Sequence, residues 1–264
     1  MIDRSPTRRL VCETPQLQFV SLFAGIGGID LGLERAGMRC VAQVEIHPFC
    51  QLVLRNHWPN VRKFTDIRRF SRRCLHARVD LVAGGFPCQD ISNAGTKLGI
   101  TGARSGLWKE MLRVVRSLRR PTFVFVENVA ALRARGLEVV LGDLAESGFH
   151  AEWDCLPAAS FGAPHLRDRL FIVAYTKRLR WDGAQVFDWS DPPQPRTWSS
   201  EKVRGVAEVE GRSYRRHPRL LRMGNGISAA MDRLRGCGNA VVPQVAEYVG
   251  RRITSFYATQ IARV

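Results

Sequence analysis

Gln18-Phe19-Val20-Ser21-Leu22-Phe23-Ala24-Gly25-Ile26-Gly27-Gly28 is the stretch whose reading decides the fold. Its first six residues are an apolar run of strand length, which the glycine cluster ends in a tight turn. Residues 29–37 then carry a helical pattern that stops at Gly37, a residue suited to the position just past a helix. The same order repeats outward. Residues 40–44 read as a strand, 47–57 as a helix and 79–83 as a third strand. Residues 107–118 are helical, with Leu107, Met111, Val114, Val115 and Leu118 on one face. A nearly unbroken β-type run over 122–126 precedes a helix reaching about residue 146, and 170–174 is another strand. Unbroken apolar strands separated by helices predict an α/β fold: a doubly wound, mixed but mostly parallel sheet covered on both faces.

The chain has 264 residues, 45% hydrophobic and 24% charged, enough apolar material for one packed domain with a small appendage. Forty Lys and Arg face 24 Asp and Glu, and the net charge of +16 favours a polyanionic partner. No apolar run approaches the roughly 18 residues of a membrane helix. Residues 1–10 lack the apolar core of a secretory signal, so the expectation is a cytoplasmic protein with no membrane partner. The seven cysteines (Cys12, Cys40, Cys50, Cys74, Cys88, Cys155 and Cys237) include no C-x-x-C pair and no tight Cys/His spacing. That argues against a disulfide framework and against a metal site.

After Tyr175 the periodicity fades. Residues 177–222 are rich in Arg and Lys, with Trp181, Trp189, Trp198 and the proline-rich Asp191-Pro192-Pro193-Gln194-Pro195. From residue 233 a glycine-bounded turn leads into an apolar helix through Val245, Val249, Ile253 and Phe256. The expected organisation is an N-terminal extension over 1–17, a main domain from 18–176 plus 233–264, and a small irregular subdomain over 177–232.

In a doubly wound sheet, ligands bind beyond the carboxyl ends of the strands. The turn from Phe23 to Gly28 lies at such an end, although Asp30 stands where G-x-G-x-x-G would place its third glycine. Glu45 ends the next strand, where a carboxylate accepts hydrogen bonds from ribose hydroxyls. Asp66, in Phe64-Thr65-Asp66-Ile67, is either an acceptor for an adenine amino group or a neutraliser of the arginines around it. Together these favour an adenosine-bearing cofactor. Gly84-Gly85-Phe86-Pro87-Cys88-Gln89 sets Cys88 on a loop at the same sheet edge. Glu127 and Asn128 end the 122–126 strand there, and Arg167 and Arg169 reach the region from the start of 170–174. Singly these are a packed thiol, a strand-end acid and surface arginines; converging, they suit covalent catalysis.

At these residues the chain resembles the DNA (cytosine-5)-methyltransferase family, from residue 18 to about 175 and again over 233–250. Residues 19–28 resemble the family's first motif, which holds S-adenosylmethionine, and Glu45 and Asp66 match its ribose and adenine ligands. Pro87-Cys88-Gln89 matches the nucleophile motif, Glu127-Asn128-Val129 the Glu-Asn-Val motif and Arg167-Asp168-Arg169 the Arg-x-Arg motif. Gly238-Asn239-Ala240-Val241-Val242-Pro243 matches the last motif, which returns to complete the cofactor pocket. The compact form is similar to bacterial, phage or prophage members.

The resemblance implies a Rossmann-like, S-adenosylmethionine-dependent methyltransferase domain. Its cofactor residues would be Phe23, Ala24, Gly25, Ile26, Gly27, Gly28, Glu45, Ile46, Asp66, Ile67, Pro87, Leu107, Asn239, Ala240 and Val241. Cys88, Glu127, Arg167 and Arg169 would be catalytic. Gln89 and Ser92, with Arg178, Arg180, Arg196, Arg204, Arg215 and Arg216 of the target-recognition region, would contact DNA. The implied partner is double-stranded DNA, bound by a monomer without metal, and the implied role is DNA methylation of the restriction–modification kind.

C5 of cytosine is a poor nucleophile, so the resemblance implies covalent activation. The Cys88 thiolate would add to C6, Glu127 would bond N3 and the exocyclic amine, and Arg167 would donate to O2. C5 then takes the methyl group, and loss of the C5 proton expels Cys88. The target base must be flipped out at a cost of a few kcal/mol, which phosphate contacts from the arginine-rich segments 55–78 and 104–120 would partly offset. Two departures from the family pattern bear on target recognition more than on catalysis. His165-Leu166 stands where the family usually places Gln before Arg-x-Arg, and Arg-x-Leu-Thr-Pro-Arg-Glu is not recognisable in 219–234. The alternatives are a relative acting on transfer RNA, a catalytically silent DNA-binding member and a dinucleotide-dependent oxidoreductase. Intact Cys88, Glu127 and Arg167 oppose the second, and the glycine pattern opposes the third.

Overall fold

The computed structural model describes residues 15–87, 106–118, 121–163, 166–179, 185–187 and 240–262. The expected site residues Cys88, Gln89, Ser92, Arg180, Arg196, Arg204, Arg215, Arg216 and Asn239 lie outside them. The chain runs β1 (Gln18–Leu22), α1 (Gly28–Arg35), β2 (Arg39–Val44), α2 (Pro48–His57), β3 (Arg62–Phe64) and β4 (Leu81–Gly84). There follow α3 (Leu107–Ser117), β5 (Phe123–Val129), α4 (Leu132–Arg135), α5 (Leu137–Glu146), β6 (Phe149–Pro157), β7 (Asp168–Thr176) and α6 (Pro243–Ile261).

Seven strands form one sheet in the order β3-β2-β1-β4-β5-β7-β6. The five from β3 to β5 are parallel, and β7 enters antiparallel to β5 and is flanked by β6. Alternate residues supply two cores, as the strand period demands. Val20, Leu22, Val82, Val124 and Val126 face Trp108, Met111 and Val115 of α3 and Val140 and Leu144 of α5. Phe19, Leu81, Phe123, Phe125 and Phe171 face Leu33 of α1 and Val245, Val249, Ile253 and Phe256 of α6. The latter four follow the three-to-four residue spacing of one helical stripe. Burying each of them contributes about 1.5–3 kcal/mol.

α6 packs along α1 so closely that a side chain on Gly32 would run into Ala246 and the Pro243 carbonyl, and one on Gly28 into the Val241 carbonyl just ahead of α6. The final motif thus sits beneath the glycine-rich turn. Residues 185–187, expected within the irregular subdomain, join the main core instead. Val186 and Phe187 are buried beside Phe171 and Tyr175, and their N–H groups donate to Glu152 Oε2 at 2.8 and 3.2 Å.

Asp30, in the first turn of α1, is fully buried. Its carboxylate accepts from Ser21 Oγ at 2.9 Å, Gln43 Nε2 at 2.7 Å and the Cys40 thiol at 3.6 Å. Burial wins over these bonds and raises its pKa from 3.8 to about 6. The folded state therefore holds this proton more tightly than the unfolded chain, and the resulting stability is complete below about pH 4 and lost as pH rises through 6. A shift of this size is on the order of 3 kcal/mol. Asp30→Asn, which cannot ionise, is expected to lose more stability at pH 4 than at pH 7 by on the order of 2–3 kcal/mol. Urea unfolding at both pH values measures this, and equal losses would refute it.

Candidate functional site

β1, β2, β4 and β5 all end at one edge of the sheet, where a cavity of about 700 Å³ opens. Its floor begins at the strand ends, which are tied together: Ala24 N–H donates to the Val44 carbonyl at 3.1 Å and Glu45 N–H to the Phe64 carbonyl at 2.9 Å. Glu45 is buried and presents both carboxylate oxygens to backbone donors, Oε2 to Gly25 N–H and Oε1 to His47 N–H, each at 2.7 Å. A carboxylate has about four acceptor positions, so each oxygen keeps one for a hydroxyl of a ligand. Asp66 caps the following 3-10 turn through Arg68 N–H at 2.9 Å, while its second oxygen stays available at the cavity wall. Ile46, 67% exposed, offers an apolar surface beside Glu45.

The far wall carries the acid–base groups. Glu127 lies within β5, which continues to Val129 rather than ending at 126, because the β7 ladder extends through Glu127↔Phe171 and Asn128↔Leu170. Arg169 sits opposite Val129, so the antiparallel entry of β7 brings its guanidinium to Glu127, Nε to Oε1 at 3.2 Å. Burial raises the Glu127 pKa from 4.5 to about 7, with Arg169 and then Arg167 opposing the rise. Arg167 is half-buried, its pKa lowered first by burial and then by Arg169. A Cβ on Gly85 would stand 2.6 Å from Glu127 Oε2, so a side chain there would push the carboxylate out of its position.

The loop leading to position 88 is held by Asn128, whose Nδ2 donates to the Phe86 carbonyl at 3.2 Å. Phe86 itself is buried against Trp108, and Pro87 lines the cavity. Among the described residues, two non-glycines have left-handed backbone, Phe23 (φ 53°) and Arg167 (φ 29°), and both belong to this region. Backbone strain of about 1–3 kcal/mol per residue is held where a site demands it.

Of the expected residues, Phe23, Gly25, Glu45, Ile46, Asp66, Ile67, Pro87, Leu107, Glu127 and Arg169 line one cavity. Gly28 and Val241 pack against each other beneath the turn, and Ala24, Ile26, Gly27, Ala240 and the expected catalytic Arg167 are not part of the lining, Arg167 acting on Glu127 and Arg169 through its charge. Arg178 follows β7 at the end remote from Arg169; roughly 23 Å of strand separates Arg169 from Thr176. That places it away from the cavity. The lining also includes Gly85 and Phe86 of the loop leading to Cys88, and His47, Cys50, Thr65 and Arg68, to which the sequence reading gave no role in the site. Among the described residues there is no group of three His, Cys, Asp or Glu able to hold a metal ion, and no helix long and apolar enough to cross a membrane.

The family model described as C-5 cytosine-specific DNA methylase matches residues 17–217. The chain is 36% identical over 165 residues to the type II methyltransferase M2.BsuMI of Bacillus subtilis, covering 60% of this chain and 42% of that protein. It is 30% identical over 223 residues to M.CviJI of Paramecium bursaria Chlorella virus IL3A, covering 82% and 57%. The crystal structure of a Spodoptera frugiperda DNMT2 variant superposes with a TM-score of 0.55 at 15% identity, over 92% of this chain and 98% of that one. That likeness shows the fold. The chain spans about two fifths of the length of the first curated relatives it matches.

Proposed function

Since the chain belongs to the C-5 cytosine-specific DNA methylase family, we propose that it transfers a methyl group from S-adenosylmethionine to C5 of a flipped-out cytosine in double-stranded DNA, through a covalent bond between Cys88 and C6. The observation that carries this reading is a single cavity with Glu45 and Asp66 on one wall and the Glu127–Arg169 pair on the other. Two hydroxyl-accepting oxygens on a buried carboxylate, an exposed aliphatic surface and a volume of about 700 Å³ fit an adenosine-bearing cofactor with room for a base. When bound, S-adenosylmethionine supplies an electrophilic methyl group.

This chain's residues do the remaining work. The Cys88 thiolate adds to C6, and the π pair of the C5–C6 double bond shifts to C5, from where it is delocalised through C4 to N3 and makes C5 nucleophilic. Glu127, protonated below about pH 7, donates to N3 and offsets the negative charge that gathers there. Arg167 donates to O2, and Arg169 holds the Glu127 carboxyl in place. After C5 is methylated, its proton leaves to a base and the pair reforms the double bond, releasing Cys88 as thiolate.

The test is incorporation of label from methyl-labelled S-adenosylmethionine into duplex DNA, with transfer RNA as a parallel substrate. Label only in RNA would move the protein to the other substrate class. Crosslinking to NAD but not to S-adenosylmethionine would remove methyl transfer altogether. For the cofactor wall, Glu45→Gln is expected to weaken S-adenosylmethionine binding by about 1.5–3 kcal/mol, the worth of hydrogen bonds to a charged group. Equilibrium dialysis measures this, and unchanged affinity would mean that Glu45 is not a cofactor ligand.

A further inference from the structure

We infer that the two 3-10 turns after β3, Ile67–Arg69 and Arg72–Cys74, form a preset cationic ridge that grips the phosphate backbone of duplex DNA beside the target base. The inference rests on the methyltransferase reading and adds a surface to it. Arg68, Arg69, Arg72 and Arg73 are all exposed. Among the described residues, no carboxylate forms an ion pair with any of the four. Asp66, the acid of this segment, turns to the backbone instead and accepts from Arg68 N–H.

Two further arginines hold the ridge from beneath. Arg113 of α3 donates to the carbonyls of Ile67 at 2.7 Å and Phe70 at 3.1 Å, and Arg62 donates to the Cys74 carbonyl at 2.7 Å. Ile67 and Phe70 are buried, so the backbone that carries the four outward cations is fixed before any partner arrives. Such preorganisation lowers the ordering cost of binding. Cations this close repel one another, and a polyanion relieves the repulsion.

The position suits DNA. Arg68 lines the cavity mouth, so the ridge is continuous with the site. β3 stands four strand spacings from β5, the strand of Glu127. At about 4.8 Å per spacing that is roughly 19 Å, which sets the ridge to one side of the base pocket, where a duplex extends beyond its target base.

The experiment compares the wild type with R69Q/R72Q/R73Q and R69K/R72K/R73K on a mixed-sequence 40-base-pair duplex, by fluorescence anisotropy over a salt series. The glutamine variant is expected to flatten the slope of log K against log salt by about two to three, and the lysine variant to restore it. S-adenosylmethionine affinity should be equal in all three proteins. An unchanged slope in the glutamine variant overturns the inference. So does a variant that keeps its DNA slope while losing binding to phosphatidylserine–phosphatidylcholine vesicles, which would make the ridge a lipid-facing surface. Absence of methyl transfer by the wild type would instead sink the underlying reading, and the salt slopes would report on the ridge regardless.

Discussion

Replacing Cys88 with serine is expected to lower methyl transfer at least about 10⁴-fold, the size of effect seen when an enzyme loses its nucleophile. Affinity for S-adenosylmethionine should stay within a few-fold. An alcohol at this position is far less ionised near neutral pH than a thiol, so the C6 adduct does not form and C5 stays unreactive. The geometry on which this rests is the loop before position 88, anchored by the Asn128–Phe86 bond and running along the Glu127 wall at Gly85. Duplex DNA carrying 5-fluorocytosine should trap the wild type as a stable adduct, because the fluorine at C5 does not leave as the proton does. Peptide mapping then identifies the attached residue. A serine variant with full activity, or an adduct on Cys40, Cys50, Cys74 or Cys155, would end the covalent mechanism proposed for Cys88.

Glu127→Gln is expected to cost about 10²–10⁴-fold in the single-turnover rate, the range for a positioned general acid. Its pH signature is more telling than its size. Burial holds the wild-type carboxyl near pKa 7, so its protonated fraction falls as pH rises through 7. A thiol nucleophile gains from rising pH, since free cysteine ionises at a pKa of about 8.5. The wild-type profile is thus a bell whose alkaline limb belongs to Glu127, whereas the glutamine variant keeps only the rise. Identical profile shapes in the two proteins would show that the proton on Glu127 plays no part.

Two groups on the cavity wall were legible because each follows an apolar strand, Glu45 after β2 and Glu127 in β5 behind Phe123-Val124-Phe125-Val126, whereas Asp66 was reached only as an acid among arginines and through the family motif. Strand ends in a doubly wound sheet point to one edge, so reading the strands located the groups. β3 itself escaped the sequence reading, since Arg62-Lys63-Phe64 shows neither an apolar run nor alternation. β6 escaped for a related reason. It is the outer strand of the sheet, and only Phe149 and Leu156 of its nine residues are buried, so its pattern is muted. Asp30 was legible only as a departure from a glycine motif. Its partners Cys40 and Gln43 come from β2, and no local pattern announces a carboxyl bonded across strands. The arginines told least, because composition does not distinguish Arg113, committed to two carbonyls, from Arg69, which faces solvent.

The packing of α6 on α1 also sets a timetable. The helix that follows the glycine-rich turn is made early in translation, while the surface it rests on emerges about 210 residues later. At about 5–20 residues per second, a ribosome needs on the order of 10–40 seconds to cover that interval. Throughout it, Leu33 and the aromatic residues of the sheet's second face lack their cover. In the nascent protein the glycine-rich turn therefore stays unsupported until α6 has cleared the exit tunnel, and the cavity it borders is completed only then.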